Sequence, residues 1–198
     1  MSRLARLYIA LVIATGATCF AAAMASWSPF DVGRYVGYLA IALVASKLKV
    51  QLPGITGTMS VNYVFVLLAI FDLSYPETIL LACLATLVQT PWRRLVNAIH
   101  ATFNCTSQAI AATGGYLAYH LGERFGHLLP LTIAASASVY FVLNSVSIAG
   151  VVSLTEHKRL FRTWKECYFW SFPYYLMGAA LAAAVSYTHL TLPTILRV

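Results

Sequence analysis

Long apolar runs, each closed by polar or basic residues, decide what this chain can fold into. Reading between those stops predicts seven membrane-spanning helices over residues 7–26, 32–46, 58–73, 75–90, 96–120, 128–154 and 167–185. A bilayer helix takes roughly 20 apolar residues, so seven use about 140 positions. The chain's 198 residues supply these with short loops left over. Composition agrees: 60% of residues are hydrophobic and 10% charged, with a mean hydropathy of +0.76, against about 25% charged in soluble domains. The expected fold class is therefore all-α, a polytopic transmembrane bundle, and no separate soluble catalytic domain fits inside it.

The basic residues test this partition independently, because cytoplasmic segments hold the Lys and Arg excess. Arg3, Arg6, Lys47, Lys49, Arg93, Arg94, Lys158, Arg159, Arg162 and Lys165 fall on one side of the alternation, and Arg34 and Arg124 on the other. The N-terminus is accordingly placed in the cytoplasm. Dropping any internal span would reverse every later loop and destroy the asymmetry. The run 32–46 is short, but Arg34 and Lys47 at its ends can snorkel to the headgroups. Trp27, Trp92, Trp164 and Trp170 lie near span ends, where an amphipathic ring suits the headgroup layer. The net charge of +7 is thereby read as topology rather than as a nucleic-acid surface.

Both ends of the chain carry a second reading. Arg3 and Arg6 precede an apolar stretch ending in Ala23-Met24-Ala25, which also reads as a signal-peptidase site. The length of the run favours an uncleaved anchor. At the other end, Val185-Ser186-Tyr187-Thr188-His189-Leu190-Thr191-Leu192-Pro193-Thr194 departs from the Ala-rich helix before it. It resembles the translation of the transposon-end adapter used in sequencing libraries. Residues 1–184 are thus expected to be a truncated transmembrane domain and residues 185–198 a non-native tail.

Motifs for chemistry are sparse. Cys19, Cys83, Cys105 and Cys167 stand singly and read as packing residues. His100, His120, His127 and His157 lack ligand spacing, so no metal, cofactor or catalytic residue is assigned. No phosphate loop, dinucleotide fingerprint or nucleophile elbow occurs. The informative pattern is in the fifth span, where Asn97, His100, Asn104, Gln108, Ala111 and Gly115 recur every three or four residues on one helical face. Lipid offers these groups no partners, so the face is expected to turn inward. Asn62, Gln89, Asn144 and Ser145 are the expected partners. Such contacts fix packing at about 0.6 kcal/mol each, up to roughly 2, or else line a pocket for a small polar ligand. Pro53-Gly54-Ile55-Thr56-Gly57 reads as a turn or a re-entrant loop, and Pro173 is expected to kink the seventh span.

Taken together, Leu52-Pro53-Gly54, Gly57-Thr58-Met59-Ser60 with Phe65, Gln89 with Trp92-Arg93-Arg94, the stretch from Asn97 to Asn104, and Trp170-Ser171-Phe172-Pro173-Tyr174-Tyr175-Leu176 carry a resemblance. Over about residues 30–184 the chain resembles the MASE-type N-terminal membrane region of bacterial signalling proteins with HD-GYP or GGDEF cyclic-di-GMP output domains. The resemblance implies a multi-pass sensor in the bacterial inner membrane whose output domain is missing here, so this fragment is not expected to be an enzyme. Asn97, His100, Asn104 and Gln108 are the sensing candidates, supported by Asn62 and Asn144. The expected partners are the lipid bilayer, a small-molecule ligand and a second copy of the chain, with no nucleic acid. A small-molecule transporter or channel is the alternative, although paired charges and repeated halves are lacking.

Overall fold

The structure, a computed structural model, describes residues 2–27, 32–47, 49–51, 58–90, 96–126 and 128–195. Its elements in chain order are α1 (Arg3–Ala25), α2 (Val32–Lys47), β1 (Lys49–Gln51), β2 (Thr58–Ser60), α3 (Asn62–Asp72), α4 (Tyr75–Gln89), α5 (Val96–Arg124), α6 (Leu129–Glu156), α7 (Leu160–Cys167), a 3-10 turn (Phe169–Ser171) and α8 (Phe172–Ile195). It is a helical bundle, and α1 and α6 are long and apolar enough to cross a membrane.

Local chemistry sets the helix ends. The Ser2 hydroxyl accepts from the Ala5 N–H at 3.1 Å and opens α1. Ser74 and Glu77 form a reciprocal capping box at the start of α4, where Pro76 also sits in the first turn. Gly126, at φ +65°, supplies the left-handed backbone that reverses the chain between α5 and α6. His157 takes the same region at φ 55° and stops α6.

Two expected spans are drawn differently. Residues 58–60 are not the start of a helix but β2, paired antiparallel with β1 in the register Lys49↔Ser60, Val50↔Met59 and Gln51↔Thr58. The segment 53–57, read as a turn or a re-entrant loop, lies outside the described residues. Helix α3 therefore has 11 residues, about 16 Å of rise, which is short of a bilayer core of about 30 Å. Residues 167–185 are likewise not one kinked helix. The chain breaks at the 3-10 turn, and Pro173 falls in the first turn of α8, where its missing N–H costs no helical bond.

The shortest apolar helices are the most enclosed. Val66, Leu67, Ala69 and Ile70 of α3 and Ile79, Leu81, Ala82 and Ala85 of α4 are fully buried. Around this hairpin pack α2, α5 and α8, with α1 and α6 laid against α5. Small residues allow the close crossings. A Cβ on Gly16 would overlap Thr106 of α5, and one on Gly178 of α8 would overlap the Tyr63 ring of α3.

Hydrogen bonds tie matching helix ends together. At one end Arg34 donates to the Asp72 carbonyl at 2.7 Å, and the Tyr38 hydroxyl donates to the Asp72 carboxylate at 2.7 Å. The Tyr75 hydroxyl reaches the Cys19 carbonyl and the Thr113 hydroxyl, each at 3.1 Å. At the other end the Tyr8 hydroxyl donates to the Ser147 carbonyl at 3.1 Å. Nearby, Trp164 of α7 donates from Nε1 to the Ser145 hydroxyl at 2.8 Å.

Candidate sensing face on α5

Helix α5 has 29 residues, and the structure treats the two halves of its polar face, Asn97 to Gly115, differently. From Gln108 onward the face is covered by α6. Gly115 is buried, its carbonyl accepts from the Ser136 hydroxyl at 2.9 Å, and Gly114 meets Leu143. At Asn104 and His100 the same face is exposed. The expected inward turn of the whole stripe is thus met only in its C-terminal half, because α6 covers α5 where glycine permits contact and leaves the N-terminal turns open. Asn97 lies in the first turn of α5, with its side chain outside the described residues.

At the point where the face becomes buried, Gln108 donates from Nε2 to the Tyr140 hydroxyl at 2.6 Å. The Tyr140 ring is completely buried and lies 5.9 Å from the ring of Tyr175 on α8. Asn144, one turn after Tyr140 on α6, donates to the Tyr175 hydroxyl at 3.2 Å. The Tyr175 ring in turn packs 4.6 Å from Tyr63 of α3, whose hydroxyl donates to the Tyr174 carbonyl at 2.8 Å. Amide and phenol groups thereby connect α5, α6 and α8 in one layer around two buried tyrosine rings, and Tyr63 joins α3 to them at an exposed edge.

Two of the sequence-derived candidates, Gln108 and Asn144, meet in this layer through tyrosines rather than directly. Asn62 is buried at the start of α3. Ser145, an expected partner of the stripe, is instead taken by Trp164. Tyr140 and Tyr175 were not among the candidates. Their signal lay in the four-residue step from Tyr140 to Asn144, visible only when a phenol is counted with the amides as a hydrogen-bonding group.

Polar capacity is left over beside the buried layer. The Ser107 hydroxyl and the Gln108 Oε1 are enclosed without a hydrogen-bond partner, a costly condition in an apolar surround. No family model, curated protein or solved structure matches the chain. The site is therefore read from its own chemistry. It offers amide, hydroxyl and imidazole groups that can donate and accept hydrogen bonds. Among the described residues no three His, Cys, Asp or Glu side chains gather to hold a metal ion.

Proposed function

We propose that this chain is the membrane-embedded input module of a bacterial cyclic-di-GMP signalling protein, with α5 as its sensing helix and α8 as the helix that relays the change toward a further, output-bearing helix. The observation that carries the reading is the Gln108–Tyr140–Tyr175–Asn144 layer. It joins the polar face of α5 to the last helix, so a ligand that alters Gln108 acts on the seat of Tyr175. For such a ligand to signal, it must bind two arrangements of the bundle with different affinity.

The bilayer setting is supported by where apolar surface remains. Leu7 and Leu11 on α1, Ile41 and Val44 on α2, Leu131 and Val142 on α6, and Met177 and Leu181 on α8 are large, apolar and exposed, a band that water does not tolerate over such an area. The short helices α3 and α4 are enclosed by the others, which relieves them of facing lipid over its full thickness. In this reading α1, α2, α5, α6 and α8 cross the inner membrane, the short α3–α4 hairpin is held among them, and α7 lies along the cytoplasmic surface. Alkaline phosphatase fused after Gly126 is expected to be active, and the same reporter after Lys158 inactive. Equal activity at both positions refutes the crossing pattern.

The functional assignment is tested by reading the uninterrupted locus. The expected result is a frame that runs past Ala184 into a further helix and a cytoplasmic HD-GYP or GGDEF domain. A stop within a few residues of Ala184, with no catalytic domain downstream, overturns the assignment.

A further inference from the structure

The segment that joins α6 to α8 has a composition the sensing layer does not explain. Helix α7 is amphipathic in a specific sense. Thr163 is buried and Trp164 turns inward to Ser145, with its ring 6.2 Å from Phe141. The outward side holds Arg162 and Lys165, preceded by Lys158 and Arg159, all exposed. Phe161 is 72% exposed and, just beyond the helix, Trp170 is 69% exposed. Cations and bare aromatic rings on one short surface suit neither water nor the acyl interior alone. They suit the boundary between the two.

The charge has a definite sign. Glu156 pairs with Lys158 at 2.6 Å and Glu166 with Arg162 at 2.8 Å. Both pairs lie at the surface, where such contacts contribute little and exchange readily for another anion. Arg159 and Lys165 add positive charge with no carboxylate in ion-pair contact among the described residues. Indole docking of Trp164 into α6 fixes this surface relative to the bundle.

We propose that residues 156–170 form a binding surface for anionic phospholipid headgroups of the cytoplasmic leaflet, with Lys158, Arg159, Arg162 and Lys165 on the phosphates and Phe161 and Trp170 in the acyl boundary. The proposal rests on the membrane reading above. Because only Tyr168 and the 3-10 turn separate α7 from α8, lipid held here acts on the position of α8 without passing through α5. Glu156 and Glu166 offset two of the four positive charges, and the remaining two give a preference for anionic over zwitterionic lipid of about tenfold or more.

The test uses the full chain, with Trp27 and Trp92 replaced by phenylalanine, reconstituted in phosphatidylcholine vesicles. Emission then comes from Trp164 and Trp170 and is quenched by brominated phosphatidylglycerol or brominated phosphatidylcholine. Expected are about tenfold selectivity for the anionic lipid, its reduction in high salt, and its loss in the K158Q/R159Q/R162Q/K165Q variant. The R3Q/R6Q variant, altered at the same end of the bundle, should keep the selectivity. Unchanged emission before lipid is varied shows that the quadruple variant retains the Trp164 seat. Equal quenching by both lipids, selectivity that survives the quadruple substitution, or competition by millimolar glycerol phosphate overturns the proposal. Failure of the protein to float with vesicles of either composition overturns the membrane reading itself, which separates the two.

Discussion

Gly16→Ala is expected to destabilise the bundle by about 1–3 kcal/mol, a cost normally associated with overpacking a core, although it adds a single methyl group. Gly16 belongs to the buried edge of α1, with Ala5, Val12 and Ala23, while Leu4, Leu7 and Leu11 on the same helix are exposed. A Cβ at this position would overlap the carbonyl oxygen and the Cβ of Thr106. A carbonyl inside a helix cannot rotate away as a side chain can, so α1 must lift from α5. Gly37 on α2 provides the control, since a Cβ there meets nothing within 4 Å. Gly37→Ala removes only the backbone freedom of glycine and is expected to stabilise by up to about 1 kcal/mol. Denaturant unfolding of both variants in the same detergent should therefore give shifts of opposite sign. A Gly16→Ala protein as stable as the parent would mean that α1 does not pack on α5 through this crossing.

Much of the fold was legible because its punctuation is chemical. Lys47 ends α2 and Ser74 precedes α4, each within a residue of the expected boundary, whereas α5 runs on to Arg124, four residues past the expected end at His120. What escaped has a common cause. Hydropathy measures whether a residue prefers lipid but is blind to backbone direction. Thr58, Met59 and Ser60 are as compatible with a strand as with a helix, and the choice was made by pairing with residues seven or more positions earlier. The break at Tyr168 was hidden for the same reason, since Tyr168, Phe169 and Trp170 extend an apolar run without extending its helix.

The candidate site was half legible. Spacing placed His100, Asn104 and Gln108 on one face, and the structure keeps them there. How much of that face is covered depends on where α6 approaches, which is a property of Gly114, Gly115 and Gly122 acting with residues of α6 ten or more positions away in sequence. The tyrosine layer was missed because aromatic residues in an apolar helix read as bulk. Tyr140 and Tyr175 are bulk and hydrogen-bonding partner at once.

Tyr140→Ala is expected to have the largest effect of any single substitution in the layer, about 3–5 kcal/mol, as for deletion of other buried aromatic rings. The ring is completely buried, touches the Tyr175 ring and backs onto Gly115. Its loss opens a void among three helices. Tyr140→Phe separates packing from hydrogen bonding. The ring stays, but Gln108 then loses its one bonded group while Oε1 is already without a partner. An amide enclosed with neither end satisfied costs about 1–3 kcal/mol. Replacing Gln108 by leucine as well removes the stranded amide, so the double variant should be more stable than Tyr140→Phe alone. A double-mutant cycle, measured by unfolding in mixed micelles, gives the coupling between the two positions directly. A coupling indistinguishable from zero would show that the Gln108–Tyr140 bond does not hold α5 to α6. In that case a change at the sensing face would have no route through this layer to Tyr175, and α8 would have to be addressed from elsewhere in the bundle.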